Sequence, residues 1–202
     1  MSKRLYAAYG SNLNIRQMKY RCPGAKLYGT GVIDNYELQF KGQPRSAFAT
    51  IAPREGASVP VAVWEISEKN EQALDHYEGY PSHYFKQNIP VQLEGKEVSA
   101  MVYIMDLKME FGLPSPYYYQ TVREGYSDCK LDANVLDEAV MESAEQFYSA
   151  YRQRESQQTL LDTEDEVAFL SDQEDCGEYA PDENEQDMDE NDPFYFPEEM
   201  RL

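Results

Sequence analysis

The chain has 202 residues, 37 acidic against 18 basic, and a formal net charge of -19. That length suits one globular domain with an extension, or two small ones, and no stretch approaches the ~20 uninterrupted apolar residues that cross a bilayer. Three scattered cysteines (Cys22, Cys129, Cys176) without CxxC spacing, and only two histidines, His76 and His83, argue against a disulfide framework or a structural zinc site and point to a reducing cytoplasm.

The opening MSKRLYAAYG has no apolar run of signal-peptide length. The negative charge gathers at the other end. Residues 155–202 hold 18 acidic residues and a single basic one, Arg201, whereas residues 1–154 carry 19 acidic and 17 basic residues. A body of 1–154 and an extension of 155–202 are therefore expected. The extension has two apolar islands, Val167-Ala168-Phe169-Leu170 and Phe194-Tyr195-Phe196-Pro197. Its burial potential is too small to offset chain ordering, so it is expected to be largely disordered or loosely docked. Such a surface repels nucleic acid and acidic membranes, and neither is expected as a partner; a solvated tail is the expected state of the extension, with docking on a basic groove, of this chain or of a protein partner, as the alternative.

In chain order, residues 4–9 read as a strand feeding the turn Gly10-Ser11-Asn12. Asn14 caps a helix over Ile15–Arg21, ended by Cys22-Pro23-Gly24, with Cys22 a buried thiol at the helix end. Strands are expected at 25–33, 36–41, 47–52 and 59–66. Ser67 caps the next helix, Glu68 to about Tyr77, with Ala73, Leu74 and Tyr77 on one face, and Gly79 breaks it. Strands 84–93 and 97–106 flank a hairpin turn at Glu94-Gly95-Lys96. Pro114-Ser115-Pro116 opens an aromatic segment. A long helix follows from Asn134 to Arg154, because Leu136, Val140, Ala144, Phe147 and Tyr151 recur at steps of three or four. The pattern is α+β: six or seven mostly antiparallel strands and three helices.

Three stretches carry candidate chemistry. Tyr9-Gly10-Ser11-Asn12-Leu13 lies between a strand and a helix, where successive N–H groups form an anion-receptive nest. Glu78, at a helix C-terminus among Tyr77, Tyr80 and Tyr84, is a carboxyl group expected to hold its proton to higher pH. The third is Tyr117-Tyr118-Tyr119, from which one hydroxyl can fix a polar ligand; spacing leaves open which one. Arg45, His76 and His83 read as surface residues, and Met101, Met105 and Met109 as core fillers.

Tyr9–Leu13 (YGSNL), the Glu78 segment (LDHYEGY), the Tyr103 strand (MVYIM) and residues 114–131, in that order, resemble the gamma-glutamyl cyclotransferase superfamily. The resemblance covers about residues 4–151. It implies a small, mainly antiparallel mixed barrel with flanking helices and a cavity at one end. It further implies an enzyme that closes a γ-glutamyl amide into 5-oxoproline and releases an amine or amino acid, with no metal or other cofactor. Glu78 would be the general acid/base, Tyr9, Gly10, Ser11, Asn12 and Leu13 the substrate cradle, and Tyr103 and Tyr118 the pocket tyrosines. Cys129-Lys130-Leu131-Asp132 stands where many relatives have a turn glycine, so that rim loop is expected to differ. The competing reading is a non-catalytic protein that binds small molecules, or a partner through its acidic extension.

Overall fold

In the computed structural model, which describes residues 3–174 (side chains through Thr159, and Leu161), five strands form a closed barrel. They are β1 (Arg4–Ala8), β2 (Lys26–Gln43), β3 (Ser46–Ile66), β4 (Tyr84–Leu93) and β5 (Lys96–Met105). Around the barrel the order is β1-β3-β2-β4-β5. Every pairing is antiparallel except the closure, where Tyr6 of β1 lies parallel to Met101 of β5. Four helices flank it: α1 (Ile15–Arg21), α2 (Glu68–Glu78), α3 (Pro116–Asp128) and α4 (Ala133–Glu174). The architecture is the α+β mixed barrel expected.

The strand count differs because two apparent breaks are the two sides of one irregularity in a continuous ladder. The segments expected at 25–33 and 36–41 are one strand, β2, and those at 47–52 and 59–66 are one strand, β3. Their ladder skips between Asp34 and Tyr36 but then continues to Gln43–Ser46. Asn35 supplies the left-handed residue there (φ 60), and its Oδ1 accepts from Gly56 N at 3.1 Å. Between the flanking pairs Asp34–Ser58 and Tyr36–Pro53, β2 has one residue, Asn35, and β3 has four, residues 54–57; the ladder is interrupted there without ending, so turn-forming residues were absorbed into longer strands. The inward faces make the core: Ile33, Phe40, Ile51, Val59, Val61, Val63, Val91 and Val102 are fully buried.

The helices follow their local signals. Asn14 caps α1, its side chain accepting from Gln17 N, and Ser67 with Asn70 forms a capping box on α2. The face of α2 differs from the expected one. Leu74 is buried with Asn70 and Glu71, whereas Ala73 and Tyr77 are exposed, because the barrel wall beneath α2 supplies cations as well as apolar surface. Helix α3 occupies the stretch expected only as an aromatic segment. Ser115 caps it, accepting from Tyr118 N, and Pro116 opens it, where its lost N–H costs nothing. On α4, Leu136 and Ala139 are buried and Ser143 Oγ accepts from Phe40 N at 2.9 Å; Tyr151 is exposed.

The chain divides after Glu155 into two units. Helix α4 runs on through residues 156–174. The Phe194–Pro197 island and Cys176 lie outside the described residues, as do the side chains of Val167–Leu170. Lys130, at the position of the missing turn glycine, takes a left-handed φ of 54°. No helix among the described residues is long and apolar enough to cross a membrane.

Candidate active site

The site is assembled where β1 runs into its turn. Residues Ser11–Leu13 form a single 3₁₀ turn closed by Leu13 N→Gly10 O (2.9 Å) and Asn14 N→Ser11 O (3.2 Å). Ser11 and Asn12 therefore have no acceptor for their N–H groups within that turn, which leaves the cradle's main-chain donors for a ligand. Helix α3 braces it from behind. Asn14 Nδ2 donates to Thr121 O and Glu124 Oε2, and Asp128 Oδ2 accepts from Ile15 N. Gly125 permits the approach: a Cβ there would stand 2.5 Å from both Asn14 N and Leu13 Cβ.

Glu78 is the last residue of α2, and Gly79, left-handed at φ 65, turns the chain away. Its Oε1 accepts from Asn12 Nδ2 at 2.8 Å, and the same Nδ2 donates to Tyr6 OH at 2.8 Å. The acid and the turn, 66 residues apart in the chain, are thus joined through a side-chain amide. Burial pushes the Glu78 carboxyl up to about 7, against the pull of the Arg21 guanidinium and the Asn12 hydrogen bond. The helix end, where the dipole disfavours negative charge, acts in the same direction as burial. A carboxyl poised near neutrality can both take and give a proton.

Tyrosines wall the cavity, but not those beside Glu78 in the sequence. Tyr77 and Tyr80 are exposed; Tyr6, Tyr9, Tyr84, Tyr103 and Tyr118 line the cavity instead. Their hydroxyls have different duties. Tyr9 donates to Tyr103 O (2.5 Å), Tyr84 to Ala49 O (2.9 Å) and Tyr103 to Asp75 Oδ1 (2.6 Å). These three fix the wall. The Tyr103 ring faces the cavity, edge-on to Tyr6 at 5.7 Å, while its hydroxyl is held by α2. Tyr6 accepts from Asn12 and Tyr118 accepts from Ala49 N (3.2 Å), so each keeps an O–H to give. All five are pushed well above the ordinary phenol range, by burial first, and stay neutral donors at physiological pH.

Of the residues expected at the site, Glu78, Tyr9, Gly10, Ser11, Asn12, Tyr103 and Tyr118 share this cavity. Leu13 does not line it; its fully buried side chain anchors the turn to the core. Of the tyrosines expected around Glu78, only Tyr84 lines the cavity; sequence reasoning missed Arg21 altogether. Arg21 was legible only as the last residue of α1. His83 is exposed and sits beside Gly79, and Arg45 is exposed.

The cavity is narrow, with about 30 Å³ open to the centre of a water molecule. A wider cleft, about 560 Å³, lies over Arg4, Glu71 and Lys86, but its charges are paired to one another. Size therefore points one way and chemistry the other. The chemistry decides, since only the narrow cavity joins a proton-ready acid to main-chain donors. Among the described residues, no group of three or more His, Cys, Asp or Glu could hold a metal ion.

The molecule is a closed mixed barrel with a carboxyl-and-amide pocket. A family model described as gamma-glutamyl cyclotransferase, AIG2-like, matches residues 6–121. The gamma-glutamylcyclotransferase of Bos taurus is 31% identical over 134 residues, 60% of this chain and 69% of its own length. That of Homo sapiens is 30% identical over 131 residues, with the same shares covered. A solved gamma-glutamyl cyclotransferase superposes with a TM-score of 0.63 at 26% identity, over 68% of this chain and 86% of its own. An uncharacterised human protein gives 0.63 at 28%, over 69% and 87%. The chain belongs to the gamma-glutamyl cyclotransferase, AIG2-like family.

Proposed function

We propose that this protein is a gamma-glutamyl cyclotransferase-type enzyme in which Glu78 is the general acid/base. The reaction is intramolecular aminolysis. The substrate's α-nitrogen bonds to its own γ-carbonyl carbon, the bond from that carbon to the leaving nitrogen breaks, and 5-oxoproline departs with a free amine or amino acid. Holding the glutamyl chain folded supplies much of the acceleration, since oriented intramolecular attack can be worth about 7–11 kcal/mol.

Glu78 takes a proton from the attacking ammonium and returns one to the departing nitrogen. N–H groups of the Gly10–Asn12 turn, with the spare O–H of Tyr118, receive the developing oxyanion or the substrate carboxylate. Tyr9, Tyr84 and Tyr103 hold the walls. Two protons leave the ammonium and the leaving nitrogen gains them, so neither water nor a cofactor enters the balance. The observation that carries this reading is the 2.8 Å bond between Asn12 Nδ2 and Glu78 Oε1, which puts a carboxyl pushed up to about 7 against the cradle. A cytoplasmic setting belongs to the same reading, supported by Cys22 and Cys129, both free and buried. A basic protein partner for the acidic extension remains a separate proposal, motivated by the charge of residues 155–202.

The test is 5-oxoproline release from a panel of γ-glutamyl amino acids, dipeptides and amines, by wild type and Glu78→Gln. Release by wild type and its loss in the variant is the expected result. Equal turnover by the two proteins removes Glu78 from the mechanism.

A further inference from the structure

Arg21 closes helix α1 and reaches across the mouth of the cavity. Its Nη1 donates to Asn12 Oδ1 at 2.5 Å and to Ser11 Oγ at 3.0 Å. Its Nη2 donates to Gln17 Oε1 at 3.0 Å and to the hydroxyl of Tyr77. The guanidinium carbon lies 3.6 Å from the centre of the Tyr77 ring. Four of its five N–H donors are thus engaged, and the planar head is held between α1, the cradle and α2. A surface arginine rarely gives up that much rotamer freedom without a role.

The consequence falls on Asn12. A carboxamide can flip, exchanging its oxygen and its NH₂. With Arg21 donating to Oδ1, only the orientation that turns Nδ2 toward Glu78 and Tyr6 is satisfied. A flipped amide would set two donors face to face at Arg21 and an oxygen against the Glu78 carboxylate. We infer that Arg21 is a positioning residue for the reaction: through the Asn12 side chain it fixes the hydrogen bond to Glu78, and through Ser11 Oγ it fixes the cradle. This rests on the reading of Glu78 as the acid/base.

Positioning of this kind has an electrostatic signature. The guanidinium and the amide both favour the charged carboxylate, against burial. The groups facing Glu78 from the other elements are Tyr6 of β1, Tyr9 just after it, Tyr84 of β4, Tyr103 of β5 and Tyr118 of α3. All are neutral near pH 7. On its own helix, Tyr77 is bonded by Arg21 and Asp75 is paired with Lys86 of β4 and bonded by Tyr103. His76 of the same helix is exposed, and His83, also exposed, stands beside Gly79. Among the described residues, Arg21 is the one cation set on the Glu78 carboxyl with a sign that opposes burial.

The experiment is the pH profile of kcat/KM for 5-oxoproline release, measured on the full chain with thermal melts recorded in parallel. In wild type the rate rises with pH as Glu78 deprotonates. Arg21→Gln moves that limb to higher pH by about one unit, so activity at pH 6 falls about tenfold more than activity at pH 9. Arg21→Lys keeps the charge but not the fork and moves it less. Tyr77→Phe, an exposed substitution that leaves the fold intact, loosens the guanidinium and moves the limb slightly in the same direction. His83→Gln leaves it in place. A uniform loss at every pH in Arg21→Gln, or a limb that stays put in Arg21→Gln and Tyr77→Phe alike, overturns the inference while Glu78→Gln remains inactive. If Glu78→Gln is itself active, the reading of Glu78 fails and takes this inference with it.

Discussion

Two of the three glutamates of helix α2, Glu71 and Glu78, stand seven residues apart, on the same side of the helix and turned toward the same barrel. Glu71 is buried and bridged on both sides, by Arg4 at 2.8 Å and Lys86 at 2.7 Å. Glu78, two turns on, meets one side-chain amide and an arginine held at one remove. Identical side chains on one face thus have opposite characters. Direct cations make Glu71 a structural tie from α2 to β1 and β4. No cation bonds Glu78 directly, and burial outweighs the pull of Arg21 and of the Asn12 amide, leaving the carboxyl near the point of half protonation. Partner placement, rather than burial alone, separates a structural carboxylate from one available for proton transfer.

The strongest way to break this contrast is by activity. Glu78→Gln keeps shape and the Asn12 donor's acceptor but cannot carry a proton, and should lower 5-oxoproline release by about 10²–10⁴-fold. Glu71→Gln should change it only a few-fold. Comparable losses in the two variants would end the distinction.

Stability separates the two with opposite signs. The folded state raises Glu78 from an ordinary value of 4.5 to about 7. The sign follows from linkage: a raised carboxyl favours folding fully below pH 4.5, and that contribution is lost as pH climbs through 7. Wild type therefore carries a penalty at pH 8 of up to about 3 kcal/mol, taking ~1.4 kcal/mol per unit. Glu78→Gln should be the more stable protein in urea at pH 8, with the advantage closing near pH 4. An advantage that does not vary with pH would mean the carboxyl is ordinary. Glu71→Gln should instead destabilise by about 2 kcal/mol near neutrality. That figure sits below the 3–5 kcal/mol typical of breaking a buried pair, since the Arg4 side chain is 59% exposed and well screened.

Much of this arrangement was legible in the chain. The caps at Asn14 and Ser67, the stop at Gly79 and the hairpin at Glu94-Gly95 follow from local chemistry, and the order of motifs placed Glu78 and the Gly10–Asn12 turn in one site. Helix α3 was also written locally, by Ser115 at the cap and Pro116 at the first turn, but Tyr117-Tyr118-Tyr119 shows no period and masked it. The duties of the tyrosines were not legible. Tyr103 turns its hydroxyl away to Asp75 and Tyr84 turns its own to Ala49 because β4 and β5 wrap at angles no spacing records. Arg21 was invisible for the same reason: its partners Ser11, Asn12 and Tyr77 come from two other elements, and its position depends on how α1 leaves the turn. The Asn12 contribution was half seen, as a main-chain donor, while its side chain makes the bond to the acid.

The finest test asks whether the two glutamates act independently. Seven residues of helix separate them by about 10 Å, beyond the range at which substitutions usually couple. Asp75 is the one residue standing between, since it takes both the Lys86 charge and the Tyr103 hydroxyl, and Tyr103 borders the Glu78 cavity. If that bridge is stiff, loss of Glu71 frees Lys86 to bind Asp75 more tightly and leaves Tyr103 in place. The stability changes of Glu71→Gln and Glu78→Gln should then add within about 0.5 kcal/mol in the double variant at pH 8. A larger coupling would show that the ion pairs of β1 and β4 reach the acid through Asp75, and that helix α2 holds one electrostatic unit instead of two.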